Sequence, residues 1–188
     1  MIIEPPAKLY PARAKLGEKL ARVKEFDGQL QEYHGTAAKA ETTEQEALED
    51  AKLTEEEAAD RISRAQNLKG VFAARVKNRE SALAKALLEL KEAMSTAENE
   101  LRGLVDTELG RRDAILTEKV RSTLQIPKED GLAPFRLLIG HSPLIQSIRL
   151  LEPTSPFAGQ DTPQQILDRA EGVLAKFHRV EIEARKEI

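Results

Sequence analysis

The chain has 188 residues, 29 basic against 32 acidic for a formal net charge of −3, with two Tyr, five Phe and neither Trp nor Cys. Zero cysteine excludes a disulfide framework, a Cys-ligated zinc site and a thiol nucleophile, and so few aromatic residues argue against the thick core of a globular enzyme. A highly charged but balanced composition favours solubility and intrachain pairing over attraction to a polyanion.

Residues Met1 to Pro6 lack a basic region followed by an apolar stretch, and the Pro5-Pro6 pair would interrupt a signal helix. A cytoplasmic protein is expected. The most apolar region, Leu132 to Leu151, is broken by Arg136, Gly140, His141, Pro143 and Arg149, so no membrane span is expected.

Between Pro11 and Pro127 there is no proline, and 71 of the 115 intervening residues are Ala, Glu, Lys, Leu or Arg. That is the composition of long helices and coiled coils. After a tail over 1–11, the spacing of Leu16, Leu20, Val23, Phe26, Leu30 and Tyr33 predicts a helix over 12–34, with Gly35 as a left-handed cap. An alanine-marked segment continues the pattern over 36–52. Thr54 and Glu57 then form a capping box that opens a helix over 54–126.

Along that helix Leu83, Leu87, Leu90, Met94, Ala97, Leu101 and Leu104 alternate steps of four and three, which is a heptad seam. Leu83, Leu87, Leu90, Met94, Leu101 and Leu104 are accordingly the candidate partner or self-association seam. Past Leu101 the stripe moves to Val105, Leu109, Leu116, Val120 and Leu124, and the shift coincides with Gly103 and Gly110, a candidate kink over 103–110.

Residues 127–162 form a proline-rich connection. Within it, 135–139 is a short apolar run of either helix or strand type, and Ser142-Pro143 opens a short helix over 143–151. Thr162 and Gln165 form a second capping box before a terminal helix over 163–188. Its stripe of Ile166, Ala170, Val173, Phe177, Val180 and Ala184 must be buried, against residues 104–126 or the short helix.

Charge is blocked along the shaft. Residues 41–60 hold nine acids against Lys52, and 61–91 hold eight bases against Glu80 and Glu89. Arg61, Arg64, Lys69, Arg75, Lys77, Arg79 and Lys85 are the bases a nucleic-acid contact would use. On a helical wheel Arg61, Arg64, Arg75 and Arg79 flank the apolar stripe while Lys77, Lys85 and Lys91 scatter on the far side, so pairing with acids of a facing helix is expected instead. Opposite charge blocks could also register one chain against another.

His34, His141 and His178 lie in separate segments without a metal-ligand partner at helical spacing. Gly140-His141-Ser142 is a poor catalytic pair, because sequence neighbours point apart and Ser142 is explained as a helix cap. No phosphate-loop motif occurs. Neither a catalytic residue, a metal, a cofactor nor a small-molecule ligand is expected.

The sequence thus predicts an all-α, elongated antiparallel helical hairpin or coiled coil with a small C-terminal helical bundle. Its expected function is that of a non-catalytic structural or adaptor protein, a scaffold that binds protein partners through helix-to-helix packing and self-associates, most simply as a dimer. Membrane-surface remodelling by a helical hairpin is one alternative. A helical-bundle ligand binder or enzyme, with a site formed only in three dimensions, is the other.

Overall fold

The computed structural model describes residues 10–128, 130–153 and 161–186. The fold is all-α. Helix α1 spans Pro11–Glu49 and α2 spans Glu55–Leu124; a 3-10 turn at Ala133–Phe135 leads directly into α3 at Arg136–Gly140, followed by α4 at Pro143–Arg149 and α5 at Pro163–Ala184. Among the described residues, two long helices packed as a hairpin and three shorter ones make up the architecture. The chain divides into two compact units, Lys19–Leu90 and the described residues of Met1–Glu18 with Lys91–Ile188.

The first unit is an antiparallel pair. Lys19 meets Glu89, Tyr33 meets Phe72, and Glu44 meets Gln66, so the partner's number falls as the α1 number rises. Leu20, Val23 and Leu90 are buried in it, as are the alanines Ala40, Ala47, Ala65 and Ala86. Alanine buries little surface, but it lets two helices approach closely, and that is the character of the seam toward the turn.

The expected helix end at Gly35 is corrected: α1 runs through it to Glu49, and 36–52 is not a separate helix. Gly35 keeps helical backbone geometry. A mid-helix glycine costs roughly 0.5–1 kcal/mol relative to alanine, less than would be lost by unpairing Tyr33 from Phe72 and uncovering Ala40 and Ala47.

The break falls instead between Glu49 and Glu55. There Asp50 accepts from the Lys52 amide, and Thr54 Oγ1 accepts from the Glu57 amide while Glu57 Oε2 accepts from the Thr54 amide and hydroxyl. Three acids in the first turn of α2 complement its dipole.

From Glu55, α2 is one uninterrupted helix through Gly103 and Gly110. It ends at Leu124 with Gln125 at φ 52°, and the Ile126 amide reaches back to the Arg121 carbonyl. This is the Schellman closure, made here without glycine.

In the second unit, α2 from Lys91 onward carries α4, α5 and the first turns of α1. Ala93, Met94, Ala97, Leu101 and Val105 are buried together with Ile145, Ile148, Ile166, Ala170, Val173, Phe177 and Val180. Glu100 Oε2 accepts from the Ala12 and Arg13 amides, capping the start of α1 from another helix, and Tyr10 lies on Phe177.

Ser142 and Thr162 cap α4 and α5, each with proline at the first helical position, and Gln165 completes the box at Thr162. The short helix stops at Arg149 rather than 151, and the terminal helix at Ala184 rather than 188. The ambiguous run 135–139 is helical, in the 3-10 turn and α3. The tail over 1–9 and the connection over 154–160 lie outside the described residues.

Helix α5 docks on α2 across the start of the expected 104–126 stretch and upstream of it, and it also meets the short helix α4 at Ser147. Arg169 donates to Glu98, and the Glu183 carbonyl receives Arg112, so its footprint on α2 includes residues 98 to 112. Leu116 and Val120 beyond it are only half-buried, and Leu124 is exposed.

Candidate functional site

Three features of the fold hold side chains in arrangements that packing alone does not require. The first is a buried charge cluster in the second unit. Arg112 is 0% exposed. Its Nε donates to Glu108 Oε1 at 2.7 Å, Nη1 to the Leu144 carbonyl at 2.6 Å and Ser147 Oγ at 3.1 Å, and Nη2 to the Glu183 carbonyl at 2.8 Å and Oε2 at 3.3 Å.

All five N–H donors of a guanidinium are thereby used, which is what burying such a group demands. One side chain of α2 joins α4 and α5. Arg111 adds a two-pronged contact to Glu108 at 2.7 and 2.8 Å, and this, with the Arg112 bond, holds the Glu108 carboxyl below the usual carboxylate range despite burial.

Nothing in the sequence reading singled out Arg112 or Glu108. The signal was present, since the next step of four past Leu104 in the heptad seam is Glu108, and Arg112 follows by four more. A charged residue at a seam position must find partners or break the packing.

Half of the candidate seam is buried within the chain. Leu90, Met94 and Leu101 are 0% exposed and Leu83, Leu87 and Leu104 half-buried, so the first three offer nothing to a partner. A heptad pattern states that a face will be covered, not by which chain.

The second feature is a basic and aromatic face in the first unit. The Arg75 guanidinium lies 5.1 Å from the Phe72 ring centroid and 6.0 Å from Tyr33, and Arg79 lies 4.7 Å from Phe26, which Arg22 approaches from 5.3 Å. Arg75 and Arg79 therefore meet rings where carboxylates were expected. Lys69 does pair with Glu41 and Glu44 of the facing helix, whereas Arg64 pairs with Asp60 on its own helix. Asn78, Ala82, Arg75, Arg79 and Tyr33 line an open groove here.

The third is an apolar groove of about 300 Å³ in the second unit, lined by Lys119, Val120, Thr123, Leu124, Phe135 and Leu138. Leu124 is 50% exposed, Leu138 70% and the adjacent Leu137 73%. Several large apolar side chains left in water on consecutive elements mark an interaction surface more often than chance scatter does. A further groove between α4 and α5 is lined by Ser147, Leu150, Leu151, Arg179, Ile182 and Glu183.

No histidine lines any of these grooves. His34 is exposed, His141 Nδ1 is 2.8 Å from the Leu137 carbonyl, and His178 is 3.8 Å from Glu181. Ser142 Oγ accepts from the Ile145 amide as a cap. Among the described residues no group of His, Asp and Glu is arranged to hold a metal ion, and no helix is long and apolar enough to cross a membrane. No protein-family model matches the chain, and no curated protein or solved structure shows significant similarity to it.

Proposed function

We propose that this chain is a non-catalytic assembly element that associates with further copies of itself by packing helices into the apolar groove of its second unit. The observation that carries the reading is the groove between the end of α2 and α3, where Leu124 and Leu138 are presented to solvent beside Leu137, over a half-buried Phe135. Covering apolar surface releases roughly 25 cal/mol per Å², and a contiguous exposed apolar patch marks a contact surface more often than single scattered apolar residues do. The Arg112 cluster supports the reading from beneath, because it ties α4 and α5 to α2 and gives the connection that bears Phe135 and Leu138 a fixed footing.

Light scattering coupled to size exclusion tests it. The full chain is expected to show a mass that rises with concentration, and Leu138→Asp to abolish that rise without loss of helical circular dichroism. The same groove with Lys119 and Arg136 beside it would also suit an anionic lipid surface. A chain that stays monomeric yet co-sediments with anionic vesicles through Leu138 would replace the assembly reading with the membrane one.

A further inference from the structure

Two surfaces of the molecule, one in each unit, carry complementary features that neither unit uses internally. From Lys119 to Leu151, the stretch that contains the groove, there are five bases, Lys119, Arg121, Lys128, Arg136 and Arg149, against Glu129 and Asp130. Arg121 is occupied with the Pro127 carbonyl, while Lys119, Lys128 and Arg136 are exposed and carry no ion pair among the described residues.

The turn between α1 and α2 is the opposite. Leu48 stands 68% exposed in the last turn of α1. Around it the acidic block divides in two. Glu41 and Glu44 are held by Lys69, Asp60 by Arg64 and Glu57 by Thr54, but Glu46, Glu49, Glu55 and Glu56 are exposed with no ion pair among the described residues.

A contact of groove against groove would bring the same bases face to face, which opposes association. An apolar side chain surrounded by free carboxylates fits the groove and its free cations at once. Resting on the self-assembly reading above, we infer that the occupant of the groove is the acidic turn of a second copy of this chain. Leu48 enters between Leu124, Phe135 and Leu138, and Glu46, Glu49, Glu55 and Glu56 face Lys119, Lys128 and Arg136.

Such a contact joins two different surfaces, so it either forms twice within a closed two-fold pair or leaves one of each kind free at the ends of every pair. In the first case association stops at a dimer held by two equivalent contacts, and in the second it runs head to tail into a ring or an open chain. Because charge guides the encounter, it weakens as salt is raised.

Sedimentation velocity on the full chain and two variants, Leu48→Asp and Leu138→Asp, decides the matter. Both positions are exposed, so the fold is spared, and circular dichroism checks this. Wild type is expected to associate at low salt, as a dimer or a larger species, and each variant alone to stay a monomer. An equimolar mixture is expected to give a dimer and nothing larger, because the intact groove of L48D meets the intact turn of L138D. A mixture that stays monomeric, or an L48D variant that associates like wild type, overturns the inference; in the second case groove-mediated assembly stands and only its occupant is different. A monomeric wild type removes the assembly reading itself. Charge reversal gives an independent arm: Arg136→Glu and Glu49→Lys each weaken association by about tenfold, and mixing them restores part of it only if the two surfaces meet.

Discussion

Glu108 and Arg112 stand one turn apart on α2, the arginine Nε donating to the glutamate Oε1 across 2.7 Å with both side chains withdrawn from solvent. The pair is the hinge pin of the second unit, because the remaining four N–H groups of the same guanidinium go to α4 and α5. Replacing Arg112 with Met leaves the Glu108 and Glu183 carboxylates and the Leu144 carbonyl without that partner. Breaking one side of a buried pair costs about 3–5 kcal/mol. A urea denaturation curve should show that loss, and Arg112→Lys should recover only a part, since an ammonium has three donors and no planar fork.

Acid should dismantle the same cluster. The Glu108 carboxyl is held low first by Arg111 and then by Arg112, and Glu183 first by Lys186 with Arg112 adding to it. A carboxyl whose folded pKa lies below its unfolded value of about 4.3 contributes stability above that pH and loses it as pH falls through the folded pKa. Melting temperature should thus hold steady from neutral pH down to about 5 and drop below about 4.3. Glu108→Gln should melt lower than wild type at neutral pH, with the gap closing in acid. A gap that does not narrow contradicts the assignment.

Gln125 holds the left-handed geometry that ends α2, where a side chain with a Cβ is disfavoured by roughly 1–2 kcal/mol. Gln125→Gly should raise stability by up to about 1 kcal/mol, reduced by the greater freedom glycine gives the unfolded chain. Thermal denaturation measures it directly; a destabilised variant would contradict the capping role.

Phe26 receives guanidinium groups from both Arg79 and Arg22 in the first unit. A double-mutant cycle on Phe26→Leu and Arg79→Gln should return a coupling of about 0.5–1 kcal/mol, the range for cation–π contacts at exposed positions. Additive effects would mean that the stacking contributes nothing beyond contact area.

Thr54→Ala removes the oxygen that accepts from the Glu57 amide and should cost about 1 kcal/mol. Hydrogen exchange in the first turn of α2 is the sensitive readout, because the loss is local to the turn.

Much of this architecture is legible along the chain, and the parts that are not share a cause. The proline-free tract announces a long helical shaft, and Thr54, Ser142 and Thr162 announce three starts, because caps act within four residues. Gly35 misleads for the converse reason: a local signal for ending a helix yields to packing against residues some forty positions away, Tyr33 on Phe72 among them. Arg112 looks like one more charge on a solvated face until Leu144, Ser147 and Glu183 are brought to it by folding. Glu100 at the start of α1 is another case, since its ligands are the amides of Ala12 and Arg13. The heptad from Leu83 to Leu104 marks a covered face but does not say which helix covers it, and the groove is built from Leu124, where the stripe of α2 runs out uncovered, and from Leu138 on α3, an element too short for any periodicity.

The weight-average mass of the full chain as a function of concentration, measured by sedimentation equilibrium at low salt, bears most directly on the central claim. Self-assembly through the groove predicts a mass that climbs above the 20.9 kDa of one chain and returns to it in Leu138→Asp. A mass fixed at 20.9 kDa up to roughly 100 μM, where a contact of about 5.5 kcal/mol would half-populate the complex, contradicts it.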